Sequence, residues 1–493
     1  MRSVSRTSSP LALSLALALA CQSGTATAAD LIDVWRAALQ NDKTHAVSRA
    51  AQAAAQPRRD QAAALWRPSV GLSATVGVAT VETDTRGAQF SAPGFNQSTG
   101  VGFSTSVSNG SSGRWAVTAS LPLYNPQRRA QQQQLSLSAD LADLEWQAAG
   151  QALMLRTAER YFDLALAEET LRVLRLQLDA VQRATTEAQD RFTLGSVPVT
   201  DTFEARARLA GVRAQMLAAE SDVQLKRNLL ADSTGLPASA LVARLPASAP
   251  ASSPTSSLGS APTSSPAAVP AAPPGINGGT ASRPLAPWLI DAQAGNPTIR
   301  SQILAAEVAR QEASKSSRRS SATVELVAQA GRDRLSGSGD FGSASNAGAN
   351  HMIGIQLSLP LFTGGLRNAR EEEAMRLVDK AAADLERTRQ EVAQQVRAAW
   401  LGLSVGALRV QALAEGHSAS VARRDATQLG LEVGQRTTLD LLNAENDAAF
   451  AQLSLAQSRV GLLLDQLRLA ALTGQLDEAA LRSVNGELTA QPP

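Results

Sequence analysis

Residues 127–194 contain no proline and a single glycine, Gly150. About 68 residues without a breaker can remain one helix, roughly 100 Å long at 1.5 Å per residue. Residues 366–429 are a second such stretch, carrying Gly402, Gly406 and Gly416, and shorter helical stretches follow each one, at 201–233 and 439–472. Helices of this length with no thick apolar face do not suit a compact globule. Their Ala, Gln, Leu and Arg content suits a shell of coiled-coil pairs, with small residues letting neighbours approach closely. An extended periplasmic coiled-coil adaptor or scaffold meets the same description, so the helices alone leave both readings open.

The chain also repeats itself. Ser120-Leu121-Pro122-Leu123-Tyr124 returns 238 residues later as Ser358-Leu359-Pro360-Leu361-Phe362. Gly195, Asp201, Ala205 and Thr234-Gly235 recur 239 residues on as Gly434, Asp440, Ala444 and Thr473-Gly474, and Asn41 and Ala50 answer to Asn296 and Ala305. Collinear self-similarity implies two copies of one unit, at 29–244 and 285–476. Residues 245–284 between them are rich in Ser, Ala and Pro. They have no apolar pattern to pack, and read as a dispensable extended linker. Residues 477–493 read as a C-terminal tail.

Each copy holds two segments of strict alternation: 69–79 and 114–123, then 323–331 and 351–361. Val70, Leu72, Val76 and Val78 alternate with small or polar residues in the first; Val117 and Leu121 do so in the second, and Ile355 and Leu357 in the fourth. Segments of about 9–11 residues with one apolar face have the length and pattern of membrane-barrel strands. A half-buried soluble sheet alternates in the same way, but four segments of like length, joined pairwise by Gly/Ser/Asn-rich loops at 82–113 and 332–350, favour the barrel. Val117, Leu121, Ile355 and Leu357 then face lipid, while Thr118 and Gln356 face the lumen. Four strands cannot close a barrel, and an open sheet edge is not viable in lipid. Several chains must therefore pool their strands.

The first 28 residues have the form of a secretory signal: Arg2 and Arg6, an apolar run at 11–20, and Ala26-Thr27-Ala28 as a small-residue cleavage site. Cys21, the only cysteine, lies inside this segment and could instead be acylated, since Ala18-Leu19-Ala20 precedes it. The formal charge of +2 also resides in the leader, and its removal leaves 44 basic and 44 acidic residues. No electrostatic footprint for nucleic acid remains. No later run of 18 apolar residues offers a helical membrane span.

No catalytic or cofactor chemistry is legible. His45, His351 and His417 lie far apart, and no Cys/His/carboxylate group has metal-site spacing. Gly364-Gly365 is too short for a nucleotide loop. Glu371-Glu372-Glu373 point in different directions around a helix and form a solvated face. A secreted hydrolase lacks its nucleophile and base, and any transport energy must come from a partner.

The stretch Val433-Gly434-Gln435-Arg436-Thr437-Thr438-Leu439-Asp440-Leu441-Leu442-Asn443-Ala444-Glu445 resembles the helix–helix turn of the TolC family, nearest its type I secretion members. Its partner in the first copy is 191–201, ending Pro198-Val199-Thr200-Asp201. The resemblance implies an α+β membrane protein: a homotrimer with a 12-stranded β-barrel, four strands per chain, in the bacterial outer membrane, continued by an α-helical barrel across the periplasm. Such a protein is the exit duct for an inner-membrane transporter and a periplasmic adaptor (membrane fusion) protein, passing protein or small-molecule cargo and needing no cofactor. The resemblance also assigns Asp440 to a ring at the periplasmic aperture, and Arg436 to a tie between the second turn and Thr200 or Asp201 of the first. Asn443 and Leu431 depart from the family, which has a second aspartate ring and a gate tyrosine there. The residues themselves leave a plainer alternative: Thr437-Thr438-Leu439-Asp440 fits a capping box, and so does Asp201 with Glu204.

Overall fold

The computed structural model describes residues 30–90, 93–94, 98–245, 283–316, 322–339 and 342–489. The leader with Cys21 and most of the Pro-rich segment lie outside the described residues. The chain forms α1 (Leu31–Asn41), α2 (Lys43–Ala53), α3 (Ala55–Ala64), β1 (Ser69–Phe90), β2 (Ser98–Tyr124), α4 (Pro126–Thr193) and α5 (Val199–Thr234). After residues 246–282 come α6 (Leu285–Gly295), α7 (Pro297–Ser316), β3 (Thr323–Gly339), β4 (Gly342–Ser358), α8 (Leu366–Glu432), α9 (Thr438–Leu472) and α10 (Glu478–Thr489). They divide into two compact units. One takes residues 1–52, 144–301 and 386–493, and the other takes 53–143 and 302–385. Each unit draws on both halves of the chain, because the strands interrupt the helices of each half.

The second unit is built on an antiparallel sheet in the order β1-β2-β3-β4. Leu72 pairs with Val117, Val117 with Ala330 and Ala330 with His351; Leu121 pairs with Leu326 and Leu326 with Ile355. Directly opposed residues share a face, so Val70, Leu72, Val76, Val117, Leu121, Ile353, Ile355 and Leu357 all lie on one side. That side is bare: Val76 is 87% exposed, Ile353 77% and Leu357 67%. Thr118, paired with Gly71 and Gln329, and Gln356, paired with Glu325, lie on the other side. So do the buried Ala116 and Leu335.

The strands outrun the alternation that reveals them. β1 continues to Phe90 and β2 begins at Ser98, so most of 82–113, expected to be loop, is hairpin; β3 and β4 likewise absorb most of 332–350. Backbone pairing needs no apolar face where both sides meet water, so Ser/Thr/Gly-rich strand leaves no periodic signal. β4 stops at Ser358 rather than Leu361, because Pro360 has no amide to give the ladder. Beyond Tyr124, Asn125 caps α4 by accepting from the Arg128 amide at 3.0 Å, and Pro126 occupies the first helical position, where a missing amide costs nothing.

In the first unit, α4 lies antiparallel to α5 and α9. Arg227 pairs with Glu168 at 2.6 Å and Arg175 with Glu220 at 3.0 Å, while Gln177 donates to Asn446 at 3.1 Å and Gln452 to Glu169 at 2.8 Å. The side of α9 that meets α8 is tight at Gly402, where an added Cβ would collide with the Asp465 carboxylate. The main core gathers Tyr161 and Phe162 of α4 with Leu31, Val34 and Trp35 of α1, Leu230 of α5 and Leu467 of α9.

Residues 477–493, expected to be a tail, instead supply α10 to this core. Leu481, Val484 and Leu488 are buried at helical spacing, and Glu478 pairs with Arg36 of α1 at 3.0 Å. The spacing of three and four residues was readable in the sequence. Its single short apolar stripe had no partner there to give it meaning.

Both returns onto the core use an asparagine. The Asn41 amide donates to the Thr234 carbonyl at 2.8 Å, where Gly235 turns left-handed at φ 69°. Asn296 donates to the Leu472 carbonyl at 2.9 Å, beside Gly474 at φ 73°. An added Cβ at Gly235 would strike the Asn41 side chain, and one at Gly474 would strike the Gly295 carbonyl. Asn296 also caps α7, accepting from the amides of Thr298 and Ile299. Near Asn41 that second task falls to Asp42, which accepts from the His45 amide.

Leu481 is fully buried, so Leu481→Ala should cost about 2–5 kcal/mol. Met375→Ala, at an exposed helical position, should stay within about 0.5 kcal/mol of the parent. Thermal unfolding in detergent measures both.

Candidate functional site

The two helix–helix turns are built alike. At the first, Gly195 at φ 73° ends α4, its amide donating to the Phe192 carbonyl at 2.9 Å while the Ser196 amide reaches the Arg191 carbonyl at 2.8 Å. At the second, Gly434 at φ 76° ends α8, with the Gly434 amide on the Leu431 carbonyl at 3.1 Å and the Gln435 amide on the Gly430 carbonyl at 2.8 Å. Both exits need a left-handed residue, which glycine supplies without strain. Pro198 then fixes the entry to α5.

Thr437 and Asp440 make the capping box in full. The Asp440 amide donates to Thr437 Oγ1 at 3.1 Å, and the Thr437 amide donates to Asp440 Oδ2 at 3.0 Å. The bond from the Thr437 backbone is the main reason the Asp440 carboxyl is held below the usual aspartate range, with the Thr437 hydroxyl and the Arg436 charge adding to it. The plainer reading of Asp440 is therefore realised in full.

Arg436 is exposed and lays its stem against Gly430, where an added Cβ would come within 2.7 Å of Arg436 Cγ. Thr200 donates to Asp201 at 3.4 Å. Among the described residues, no hydrogen bond or ion pair joins Arg436 to Thr200 or Asp201 within the chain. Asn443 is exposed next to Asp440's turn, and Leu431 is buried. The structure thus brings Thr437, Asp440 and Arg436 together at the second turn and leaves the first turn's pair apart from them.

A group that the sequence reading passed over lies one turn along α9. Leu442 packs into a cluster with Val181 and Ala184 of α4 and Val212 of α5. Beside it a cavity of about 260 Å³ is lined by Arg183, His417, Arg424, Glu445 and Gln452. Glu445 Oε2 is buried without a partner. Burial pushes its carboxyl up, against the pull of Arg424 and Arg183, and burial also pushes the His417 imidazole down. The available signal was Glu445's place among Leu442, Ala444 and Ala448, all buried on the same helix.

Long helices, a four-stranded sheet with a bare apolar face and paired glycine turns together give the chain a TolC-like architecture. The outer membrane efflux protein family model matches residues 34–236 and 288–475, and the chain belongs to that family. It is 25% identical over 360 residues to outer membrane protein TolC of Escherichia coli K12, covering 71% of this chain and 67% of that one. It is 26% identical over 368 residues to the alkaline protease secretion protein AprF of Pseudomonas aeruginosa, covering 74% and 70%. The fold matches the outer membrane protein VceC of Vibrio cholerae with a TM-score of 0.66 at 18% identity, over 91% of this chain and 97% of that one. Relatives of this kind imply placement in the outer membrane.

Glu445 titrates above the ordinary range because its charged form is desolvated, so whatever it contributes to stability is present at low pH and is lost as pH rises through its raised value. Glu445→Gln should raise the melting temperature at pH 8, with the gain vanishing near pH 4. Parallel melts of parent and variant check this.

Proposed function

We propose that three copies of this chain form an outer-membrane exit duct for a tripartite efflux or type I secretion system. The observation that carries this is the sheet: β1 and β4 are edges, and one face of all four strands is apolar and exposed. In lipid such edges must be paired, and pairing β1 of one chain with β4 of the next satisfies every edge in a closed ring. Three chains give 12 strands and leave a lumen, where two would give 8 and fill it with side chains. The matched asparagine–glycine links at Asn41/Gly235 and Asn296/Gly474 support a chain of two copies. The long helices then extend into the periplasm to meet an adaptor and an inner-membrane transporter, which supplies the energy. The likeness to AprF, whose name records alkaline protease secretion, favours protein cargo.

The periplasmic end is the gate. Arg436 finds no partner on the first turn of its own chain, so the tie to Thr200 or Asp201 forms between neighbouring protomers. Each such exposed pair contributes only about 0.2–1 kcal/mol, but three copies bias an equilibrium between states a few kcal/mol apart. Asp440, repeated around the axis, sets a negative potential, and Asn443 leaves that ring single.

Light scattering in detergent should give the mass of three chains. Arginine on a lipid-facing site costs roughly 2–4 kcal/mol at the midplane and less toward either interface, so Leu357→Arg should deplete assembled trimer more than Gln356→Arg. Equal tolerance would place the apolar face elsewhere than in lipid. In planar bilayers, Arg436→Ser should raise single-channel conductance, Asp440→Ala should lower cation selectivity, and Asn443→Asp should strengthen block by multivalent cations. Parent-like behaviour in all three would reduce these residues to ordinary turn and cap residues.

A further inference from the structure

On β3 the apolar face of the sheet ends on charge, while on β1 it runs on through Val76 and Val78. Going up from Leu357, the rows on this face are Leu121–Leu326–Ile355, Val70–Ala119–Ala328–Ile353 and Leu72–Val117–Ala330–His351. The next row sets Ala74 and Trp115 beside Arg332 and Ala349, and the one above sets Val76 and Gly113 beside Arg334 and Ala347. Both arginines are exposed, and Trp115 is half exposed. Asp333, the nearest acid along the strand, is on the opposite face, paired with Arg114. Among the described residues neither Arg332 nor Arg334 has an ion-pair partner.

Their height decides what they meet. Eight residues of β4 separate Leu357 from Ala349, the partner of Arg332, and ten separate it from Ala347, the partner of Arg334. A strand tilted by about 40° climbs about 2.5 Å per residue, which puts the arginines about 20–25 Å above Leu357. With Leu357 at the lower margin of an outer-membrane apolar band, about 25 Å tall and flanked by aromatic residues, Trp115 marks the upper limit on β2 and the guanidinium groups reach the head groups just above it. This end of the sheet is the one with the hairpin tips, opposite the end where Tyr124 leads into α4.

We propose that Arg332, Arg334 and Trp115 form an outward-facing site for a phosphorylated glycolipid of the outer leaflet. Two guanidiniums two residues apart on one strand face are spaced by about 7 Å. Both can engage phosphates at once with charge-assisted hydrogen bonds, and an indole alongside offers an apolar face to a sugar ring. A glycerophospholipid with one phosphate would use half of this arrangement. The site rests on the reading of the sheet as part of a membrane barrel.

The purified trimer in detergent is titrated with bisphosphorylated lipid A, with the same lipid A stripped of phosphate, and with phosphatidylglycerol, and binding is read by native mass spectrometry. The parent should bind the bisphosphorylated lipid in preference to the other two. A basic residue near an anionic lipid surface contributes about fivefold in affinity, so Arg332→Gln with Arg334→Gln should weaken binding about 25-fold. Arg114→Gln, on the opposite face, should bind like the parent. Equal binding of the stripped lipid overturns the site without any variant having to fold, and equal binding of phosphatidylglycerol overturns the glycolipid assignment. If no trimer forms, the barrel reading fails and this site with it. A stable trimer indifferent to lipid phosphate removes the site alone.

Discussion

Backbone amides and carbonyls along the outer edges of β1 and β4 set the terms for the rest of the molecule. In water an unpaired edge is solvated, but in hydrocarbon each unpaired group costs several kcal/mol, far more than any side-chain contact in the sheet returns. A chain with four such strands and an apolar face cannot satisfy that demand alone. On the proposed reading oligomerisation is part of folding, and the trimer is the smallest closed ring that keeps a lumen. The helical unit meets the opposite problem. Its helices satisfy their own backbones and lack a thick apolar face, so their order comes from a local core around Phe162 and from cross-helix pairs such as Arg227–Glu168.

That division explains which parts were legible in the sequence. Alternation at Val70, Leu72, Val76 and Val78 follows from one apolar and one polar face, so it marks the strands wherever the two faces differ. It falls silent along Glu82 to Phe90, where both faces are polar and pairing alone keeps the strand. The lack of proline marked α4 and α8 for the same kind of reason: a long helix excludes a residue type along its whole length. α10 was missed because its three buried residues, Leu481, Val484 and Leu488, acquire meaning only from α1 and α4, which lie hundreds of residues away in the chain.

At the turns, local chemistry was readable and assembly was not. Gly195, Gly434 and the Thr437–Asp440 box follow from backbone geometry within a few residues, and sequence spacing captures such geometry well. Among the described residues no hydrogen bond or ion pair makes the tie expected of Arg436 within one chain, and sequence spacing carries no information about contacts between chains. Glu445 fell between these cases. Its burial is a tertiary matter, and a glutamate beside an acidic turn reads as solvent-exposed until Leu442 is seen packed on Val181 and Val212.

The Thr437–Asp440 box has a consequence for any movement of α9. Asp440 is bonded to its own helix start, through a hydroxyl and an amide only three residues back, and among the described residues to nothing across the turn. Its orientation is therefore carried by α9 as a rigid fitting. If the helix swings outward, the carboxylate goes with it at an unchanged angle to the helix axis, and the proposed aperture would change its radius without changing its sign. In the proposed duct a carboxylate carried this way would filter passing ions by charge in every state, and the degree of opening would set only how strongly.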